Sequence, residues 1–169
     1  MQKSLFAAAL LGAAIALPAA AQDAPWYLTG SVGRSKYDIE GLSSDNKDTS
    51  YNLGVGYHFS KSLGIEVGYA DFGKLQFSGV TGKAKSTYAG LILSAPFSDA
   101  FSVYGRLAAA STDRKISGFG SSESERKTEA LYGVGFGYAF QRNLTGMIEY
   151  QKLSDSDVAA LNVGLRIGF

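Results

Sequence analysis

The sequence lacks cysteine entirely, has only 3 prolines and carries almost no net charge. Without cysteine the chain forms no disulfide and offers no thiolate for metal binding or nucleophilic catalysis. The net charge of +1 argues against nucleic acid as a partner, because phosphate binding needs a concentrated basic face. No pattern indicates a metal ligand or a cofactor, and only one short segment could be catalytic, so we expect no catalytic, metal or cofactor site. The 21 glycines, 10 tyrosines and 10 phenylalanines favour pleated strands over helices.

Beyond its first residues the chain has no long hydrophobic run. The N-terminal segment combines Lys3, an apolar run over residues 5–17, and Ala19 and Ala21 at the spacing of a signal-peptidase site. A membrane anchor is the less favoured interpretation, since the run is shorter than the roughly 20 residues that a spanning helix needs. We therefore interpret residues 1–21 as a secretory signal peptide and residues 22–169 as one exported domain.

Period-two alternation is clearest in the C-terminal stretch, residues 158–169. Its large apolar residues fall on one side of an extended chain: Leu161, Val163, Leu165, Ile167 and Phe169. The opposite side carries Asn162, Arg166 and two glycines. This pattern is typical of a strand whose outer face meets lipid and whose inner face meets a narrow polar lumen.

The same alternation recurs along the chain and predicts eight strands. They cover residues 26–37, 49–59, 63–72, 85–95, 101–111, 127–140, 144–152 and 158–169. Short turns alternate with longer polar segments, which we predict as outer loops at 38–48, 73–84, 112–126 and 154–157. Bacterial outer-membrane barrels have this asymmetry, with short periplasmic turns and long outer loops. We therefore predict an all-β fold, an eight-stranded antiparallel up-and-down transmembrane β-barrel.

A soluble barrel with a ligand cavity can also have eight strands. The polarity of the inner face distinguishes such a barrel from a membrane barrel. Here that face alternates glycines with charged residues: Glu66, Arg106, Glu129, Glu149 and Arg166. It is too polar for an apolar ligand cavity and too rich in glycine for a solvated surface. Because an eight-stranded lumen is filled by its own side chains, the pattern favours a barrel in the cell outer membrane, reached through the periplasm.

Four of these inward charges fall at similar distances from the periplasmic ends of their strands. We predict that Glu66, Arg106, Glu149 and Arg166 form a charge network across the lumen. Opposite charges in a narrow interior require partners, and paired charges close the lumen and fix strand register. A gated ion path through the same residues is the alternative, and we favour structural plugging.

Several short motifs together resemble a known family. They are W-Y-L-T-G-S-V-G-R-S-x-Y in the first strand, L-G-I-E-V-G-Y in the third, V-Y-G-R-L in the fifth, E-Y-Q in the seventh and the terminal G-x-x-x-G-F. The set resembles the transmembrane domain of OmpA and the small barrels of the OmpX and opacity type. The resemblance implies that Glu66 and Arg106 occupy interior charged positions of the family, and that the terminal Phe169 acts as an assembly signal.

The chain departs from this family pattern at two interior positions. Ile92 and Gly137 stand where an OmpA-like barrel tends to have a lysine and a glutamate. Both members of that pair are missing together. The sequence also stops at the predicted barrel, so we expect no periplasmic peptidoglycan-binding domain of the kind that full-length OmpA has.

One segment, His58-Phe59-Ser60, resembles the H-x-S pattern of outer-membrane lipid A deacylases. A histidine and a serine two residues apart on a strand share a face, which makes proton transfer between them conceivable. They lie at the periplasmic end of the second predicted strand, whereas a lipid A substrate lies at the outer rim. We therefore favour the interpretation that His58 is an interior residue at the rim of the barrel and that Ser60 is a residue of the turn.

These observations predict a non-enzymatic outer-membrane protein. Its role would be structural or surface-presenting, with at most a narrow, gated pore. The alternative is an outer-membrane lipid-modifying enzyme of the deacylase type. The expected partners are outer-membrane lipid and lipopolysaccharide, the barrel-assembly machinery, and surface ligands that bind the loops.

Overall fold

The computed structural model of the protein describes residues 25–37, 47–77, 80–118, 121–155 and 158–169. The predicted signal peptide and most of the predicted loop 38–48 lie outside these ranges. Eight strands form: β1 Trp26–Tyr37, β2 Lys47–His58, β3 Leu63–Phe77, β4 Val80–Pro96, β5 Phe101–Gly118, β6 Ser121–Gln141, β7 Leu144–Leu153 and β8 Val158–Gly168. Within the described ranges, no helix is long and apolar enough to cross a membrane.

Every strand pairs with its neighbour in sequence, and β8 pairs antiparallel with β1, which closes the sheet into a barrel. The predicted fold class is confirmed. Closure leaves the membrane-spanning ladder without an unpaired edge, so the backbone hydrogen bonds are satisfied within the protein.

The two faces of the barrel differ as the alternation predicts. Large apolar side chains are exposed on the outer face, among them Leu28, Val32, Leu53, Ile65, Val67, Leu91, Leu107, Val134, Phe136, Ile148, Leu161 and Val163. Aromatic rings gather near the short turns, where Trp26 contacts Tyr57 edge to face and Tyr138 contacts Phe140 in the same way. An apolar belt edged by aromatic rings suits a bilayer and its interfaces.

Strands β3 to β6 are longer than the sequence predicts. They have 15, 17, 18 and 21 residues, whereas β7 and β8 have 10 and 11. The predicted loops 73–84 and 112–126 are wrong, because Thr81 pairs with Ser117 and Arg114 with Glu125 inside continuous ladders. A strand outside the membrane meets water on both faces, so it keeps its backbone pairing while losing the apolar alternation that marks a spanning strand.

The extended part of β3 begins at an irregularity. Its register with β4 shifts between Asp71 and Lys74, and Gly73 has a φ of 81°, a value that glycine adopts without strain. The backbone N–H of Gly73 donates to Asp71 Oδ1 at 2.9 Å. Such a bulge bends the strand and increases its twist locally.

Candidate functional site

The centre of the lumen is occupied by a buried arginine between two carboxylates. Arg106 Nη2 on β5 lies 2.9 Å from Glu66 Oε1 on β3 and 3.2 Å from Glu149 Oε2 on β7. The three residues are 4%, 1% and 5% exposed, respectively. Buried charges require partners of this kind, because an unpaired charge in the interior is costly. The arrangement connects three strands that are not neighbours in the sheet.

A tyrosine hydroxyl lies within hydrogen-bond distance of one oxygen of each carboxylate, whereas Glu66 Oε2 is buried without a partner among the described residues. The Tyr88 hydroxyl lies 2.8 Å from Glu66 Oε1 and accepts a hydrogen bond from Arg106 Nη1 at 3.1 Å. Tyr104 donates to Glu149 Oε2 at 2.9 Å. Alternation along β4 and β5 predicts that both tyrosines face the lumen, but it does not predict which carboxylate each tyrosine reaches.

Arg166, the fourth residue of the predicted network, lies elsewhere. Its guanidinium carbon is 4.8 Å from the ring centre of Tyr27 and 5.2 Å from that of Tyr104. Its Nε and Nη2 atoms are buried and have no hydrogen-bond partner in the described part of the chain. The structure therefore brings Glu66, Arg106 and Glu149 together and holds Arg166 on the periplasmic side of them, against aromatic faces.

An apolar layer lies on the outer side of this charged layer. Its members are buried residues of six strands: Ala70, Phe72, Ala84, Tyr88, Ala108, Ala110, Leu131, Leu153, Val158 and Ala160. Phe72 is 1% exposed, and Leu131 and Leu153 are 0% exposed. The same level of the lumen also holds the buried polar residues Ser35, Ser86 and Thr112, so apolar and polar side chains fill it together. Packed apolar side chains leave little room for water.

The deacylase-like pair is not arranged as a nucleophile and its base. The His58 ring packs against Tyr27, with ring centres 4.5 Å apart, and its buried Nδ1 has no hydrogen-bond partner among the described residues. Ser60 Oγ accepts hydrogen bonds from the backbone N–H groups of Ser62 and Leu63 at 3.2 and 3.1 Å. The serine therefore organises the β2–β3 turn.

The terminal residue is tied to the first strand. The backbone N–H of Phe169 donates to the carbonyl of Trp26 at 3.0 Å. Its side chain is 46% exposed, at the barrel end where the aromatic rings gather. The last residue thus extends the seam between β8 and β1.

The extended sheet of β3 to β6 carries charges in register. One row alternates in sign along Asp71, Lys85, Asp113 and Arg126. Lys85 Nζ lies 3.5 Å from Asp71 Oδ2, and Arg126 Nε lies 2.7 Å from Asp113 Oδ1. A second row pairs Lys74 with Lys83 and Lys83 with Lys115. The sequence analysis missed both rows, since Lys74, Lys83, Asp113, Lys115 and Arg126 fall in predicted loops, which have no register.

Comparison with known proteins identifies a family match. Residues 6–169 match the family described as outer membrane protein beta-barrel domain. Outer membrane protein A of Yersinia pseudotuberculosis is 30% identical over 86% of this chain and 46% of its own length. The chain thus spans about half the length of the OmpA relatives that it matches. An uncharacterized protein of Haemophilus influenzae is 31% identical over 92% of this chain and 93% of its own.

Solved structures share the fold. Neisserial surface protein A superposes with a TM-score of 0.69 at 18% identity, over 86% of this chain and 97% of its own. Ail, the attachment invasion locus protein of Yersinia pestis, was solved in complex with the heparin analogue sucrose octasulfate. It superposes with a TM-score of 0.60 at 26% identity, over 85% of this chain and 97% of its own.

Proposed function

Because the chain belongs to the family of outer membrane protein beta-barrel domains, we propose that it acts at the cell surface, where its barrel anchors a sheet that binds polyanionic ligands. The barrel lies in the cell outer membrane, as its family and its solved relatives do. The surface role is a non-enzymatic one.

The single observation that carries this proposal is the length of β3 to β6. A spanning strand needs about 9–11 residues, and the 10 residues of β7 and 11 of β8 meet that need. The 18 residues of β5 and 21 of β6 exceed it. Because exposed aromatic rings lie near the β4–β5 and β6–β7 turns, the excess extends from the opposite, outer rim. Paired strands hold a more defined surface than loops do.

The charges of this sheet suggest the class of ligand. Lys74, Lys83 and Lys115 form one register row across three neighbouring strands, which are about 4.8 Å apart in any sheet. A row of like charges raises the local concentration of anionic groups. The likeness to Ail, whose structure contains sucrose octasulfate, supports a sulfated saccharide as the first probe.

The test is binding of sucrose octasulfate to the purified barrel by titration calorimetry. We expect the variant K74Q/K83Q/K115Q to bind at least tenfold more weakly than the parent. The variant R34Q/K36Q/K152Q loses the same charge from another part of the rim and serves as the matched control. Equal binding by the parent and K74Q/K83Q/K115Q would overturn the proposed ligand class.

We also propose that the lumen acts as at most a narrow, gated pore. Two features support this: the ion pairs of Arg106 with Glu66 and Glu149, and the apolar layer around Phe72 and Leu131. Charges paired at short distance and packed apolar side chains both oppose the passage of hydrated ions.

The deacylase alternative lacks support from the geometry of His58 and Ser60. Its test is the lipid A profile of cells that overproduce the parent or the variant H58A, measured by mass spectrometry. We expect identical profiles in both strains and in cells that lack the protein. Loss of an acyl chain that depends on His58 would establish the enzymatic alternative.

A further inference from the structure

The periplasmic end of the lumen forms a small polar vestibule. Its wall consists of inward-facing, half-buried residues from five strands: His58, Ser94, Ser102, Thr145 and Arg166. Its floor consists of fully buried side chains: Tyr27, Ile92, Tyr104 and Met147. The floor lies between the vestibule and the charged layer around Arg106, so solutes reach the vestibule from the periplasm.

Arg166 is the charged residue of this wall, and it has no counter-charge there. None of the other four wall residues is acidic. The carboxylates of the charged layer, Glu66 and Glu149, both pair with Arg106, and no ion pair joins Arg166 to a carboxylate in the described part of the chain. A positive charge without a partner in a barrel interior is costly, and it attracts anions.

Several polar atoms of the wall also lack hydrogen-bond partners. Arg166 Nε and Nη2, His58 Nδ1 and Ser94 Oγ are buried and make no hydrogen bond within the described ranges. Tyr27 contacts both the His58 ring and the Arg166 guanidinium. Tyr104 contacts the same guanidinium and pairs with Ser94. Buried polar groups normally have partners, so a cluster of unsatisfied ones indicates a site for an ion or for water.

The two unsatisfied nitrogens of Arg166 lie on the same edge of the guanidinium. Their N–H groups point in parallel, and such an edge binds two oxygens of one carboxylate or phosphate. Arg126 uses this edge on the outer sheet, where Nε and Nη2 donate to Asp113 Oδ1 and Oδ2 at 2.7 and 3.3 Å. The edge of Arg166 is therefore chemically equivalent to one that holds a carboxylate elsewhere in the same chain.

Hydroxyl groups lie beside Arg166. Thr145 is its partner in the ladder of β7 and β8. A methyl group added at Gly137 would lie 2.8 Å from Ser102 Oγ and 3.2 Å from Thr145 Cγ2, so these two side chains approach each other over the glycine. Serine and threonine hydroxyls can donate to the oxygens of an anion.

From this arrangement we propose that the vestibule binds a small oxyanion from the periplasm, a carboxylate or a phosphate, on the Nε and Nη2 edge of Arg166. The hydroxyls of Ser102 and Thr145 supply further donors, and the ring faces of Tyr27 and Tyr104 hold the guanidinium in place. Because both nitrogens are buried, binding includes a rotation of the Arg166 side chain toward the half-buried wall. The anion supplies the counter-charge that the wall lacks.

The experiment is an NMR titration of the purified, isotope-labelled barrel in neutral detergent micelles. Sodium acetate replaces sodium chloride at constant ionic strength and pH, and sodium phosphate replaces it in a second series. The signals followed are the backbone amides of Ser102 and Thr145 and the Nε–H group of Arg166. The variant R166Q removes the proposed edge, and R166K keeps the charge without the two parallel N–H groups. R142Q, in the exposed β6–β7 turn, is the control with the same loss of charge as R166Q.

We expect saturable amide shifts in the parent and in R142Q. We expect no saturable shift in R166Q and an affinity about tenfold lower in R166K, because lysine offers a compact charge in place of a bidentate edge. Saturation by acetate alone would support a carboxylate site, and saturation by both anions would support a site for oxyanions in general. Absence of saturation in the parent, or equal shifts in R166Q, would overturn the site.

A second variant tests the site without removing the arginine. T145E places a carboxylate opposite Arg166 in the β7–β8 ladder, where it supplies the counter-charge from within the chain. We expect T145E to lose the saturable shifts and to unfold at a higher temperature than the parent in chloride, whereas the neutral variant T145Q keeps the shifts. T145D replaces T145E if heat-dependent gel migration shows that T145E does not fold. Equal acetate affinity in T145E and T145Q would overturn the assignment to Arg166.

This inference goes beyond the proposed surface role, because the vestibule lies at the opposite end of the barrel from the extended sheet. R166Q keeps the lysines of the outer row, so it should bind sucrose octasulfate as the parent does. Loss of the acetate shifts in R166Q with normal sucrose octasulfate binding would support the vestibule site. Equal loss of both ligands would show a general effect on the barrel and overturn it.

Discussion

Tyr88 on β4 lies directly opposite Gly68 on β3, and its phenol occupies the space that a side chain at Gly68 would need. The same relationship joins Tyr27 to Gly56 and Tyr104 to Gly135. Each inward tyrosine thus folds over a glycine on the next strand. This explains why glycines alternate along the inner face of a lumen that holds large side chains.

Replacing Gly68 by alanine should destabilise the barrel. The added methyl group would overlap the Tyr88 ring and a backbone carbonyl, and such overpacking costs typically about 1–3 kcal/mol. We expect a lower temperature for the loss of the folded band on an unheated gel. The control is G105A on the outer face, where the nearest atom to a new methyl group is 3.9 Å away. Equal unfolding temperatures for the two variants would contradict the tyrosine–glycine packing.

Replacing Glu66 by alanine should destabilise the barrel. Removing one member of a buried ion pair costs about 3–5 kcal/mol where water is excluded. Glu66 Oε1 lies 2.9 Å from Arg106 Nη2 and 2.8 Å from the Tyr88 hydroxyl, so the substitution removes the partner of both groups. The measurement is the unfolding temperature by gel migration, with K61A in the exposed β2–β3 turn as control. A melting temperature of E66A equal to that of K61A would show that the charged layer contributes nothing to stability.

The apolar layer should block conduction even when the charged layer is broken. We expect planar-bilayer recordings of the parent and E66A to show little or no single-channel current, because Leu131 and Leu153 remain packed beyond Arg106. The combination E66A/L131A/L153A should conduct, since it removes the ion pair and the two fully buried leucines. Steady current through E66A alone would assign the closure of the lumen to the ion pairs.

Deleting Phe169 should impair assembly of the barrel in the outer membrane. The deletion removes a backbone hydrogen bond to Trp26 and an exposed ring at the end of the barrel where aromatic residues gather, a position that bilayer interfaces favour. The measurement is the amount of folded protein in outer-membrane fractions. We expect the full-length variant F169W, which keeps an aromatic ring at this position, to accumulate as the parent does. A truncated chain that accumulates as well as the parent would rule out an assembly role for Phe169.

Much of the architecture follows from local pattern. Each spanning residue faces either lipid or lumen. The alternation of apolar and polar residues therefore predicts that side chains such as Leu53 face lipid and that side chains such as Glu66 face the lumen. The strand count, the antiparallel closure and the inward placement of Arg106 were predictable for this reason. The role of the charged layer and of Phe169 stays a prediction.

The lengths of β3 to β6 and the partners of the lumen charges depended on tertiary structure. Water on both faces of a protruding strand removes the alternation, so residues 112–126 looked like a loop although backbone pairing continues through them. Arg166 lies among aromatic rings and Arg106 between two carboxylates because the barrel folds distant strands around one lumen. Alternation determines which face a side chain occupies, whereas its neighbours on that face depend on strand register and closure.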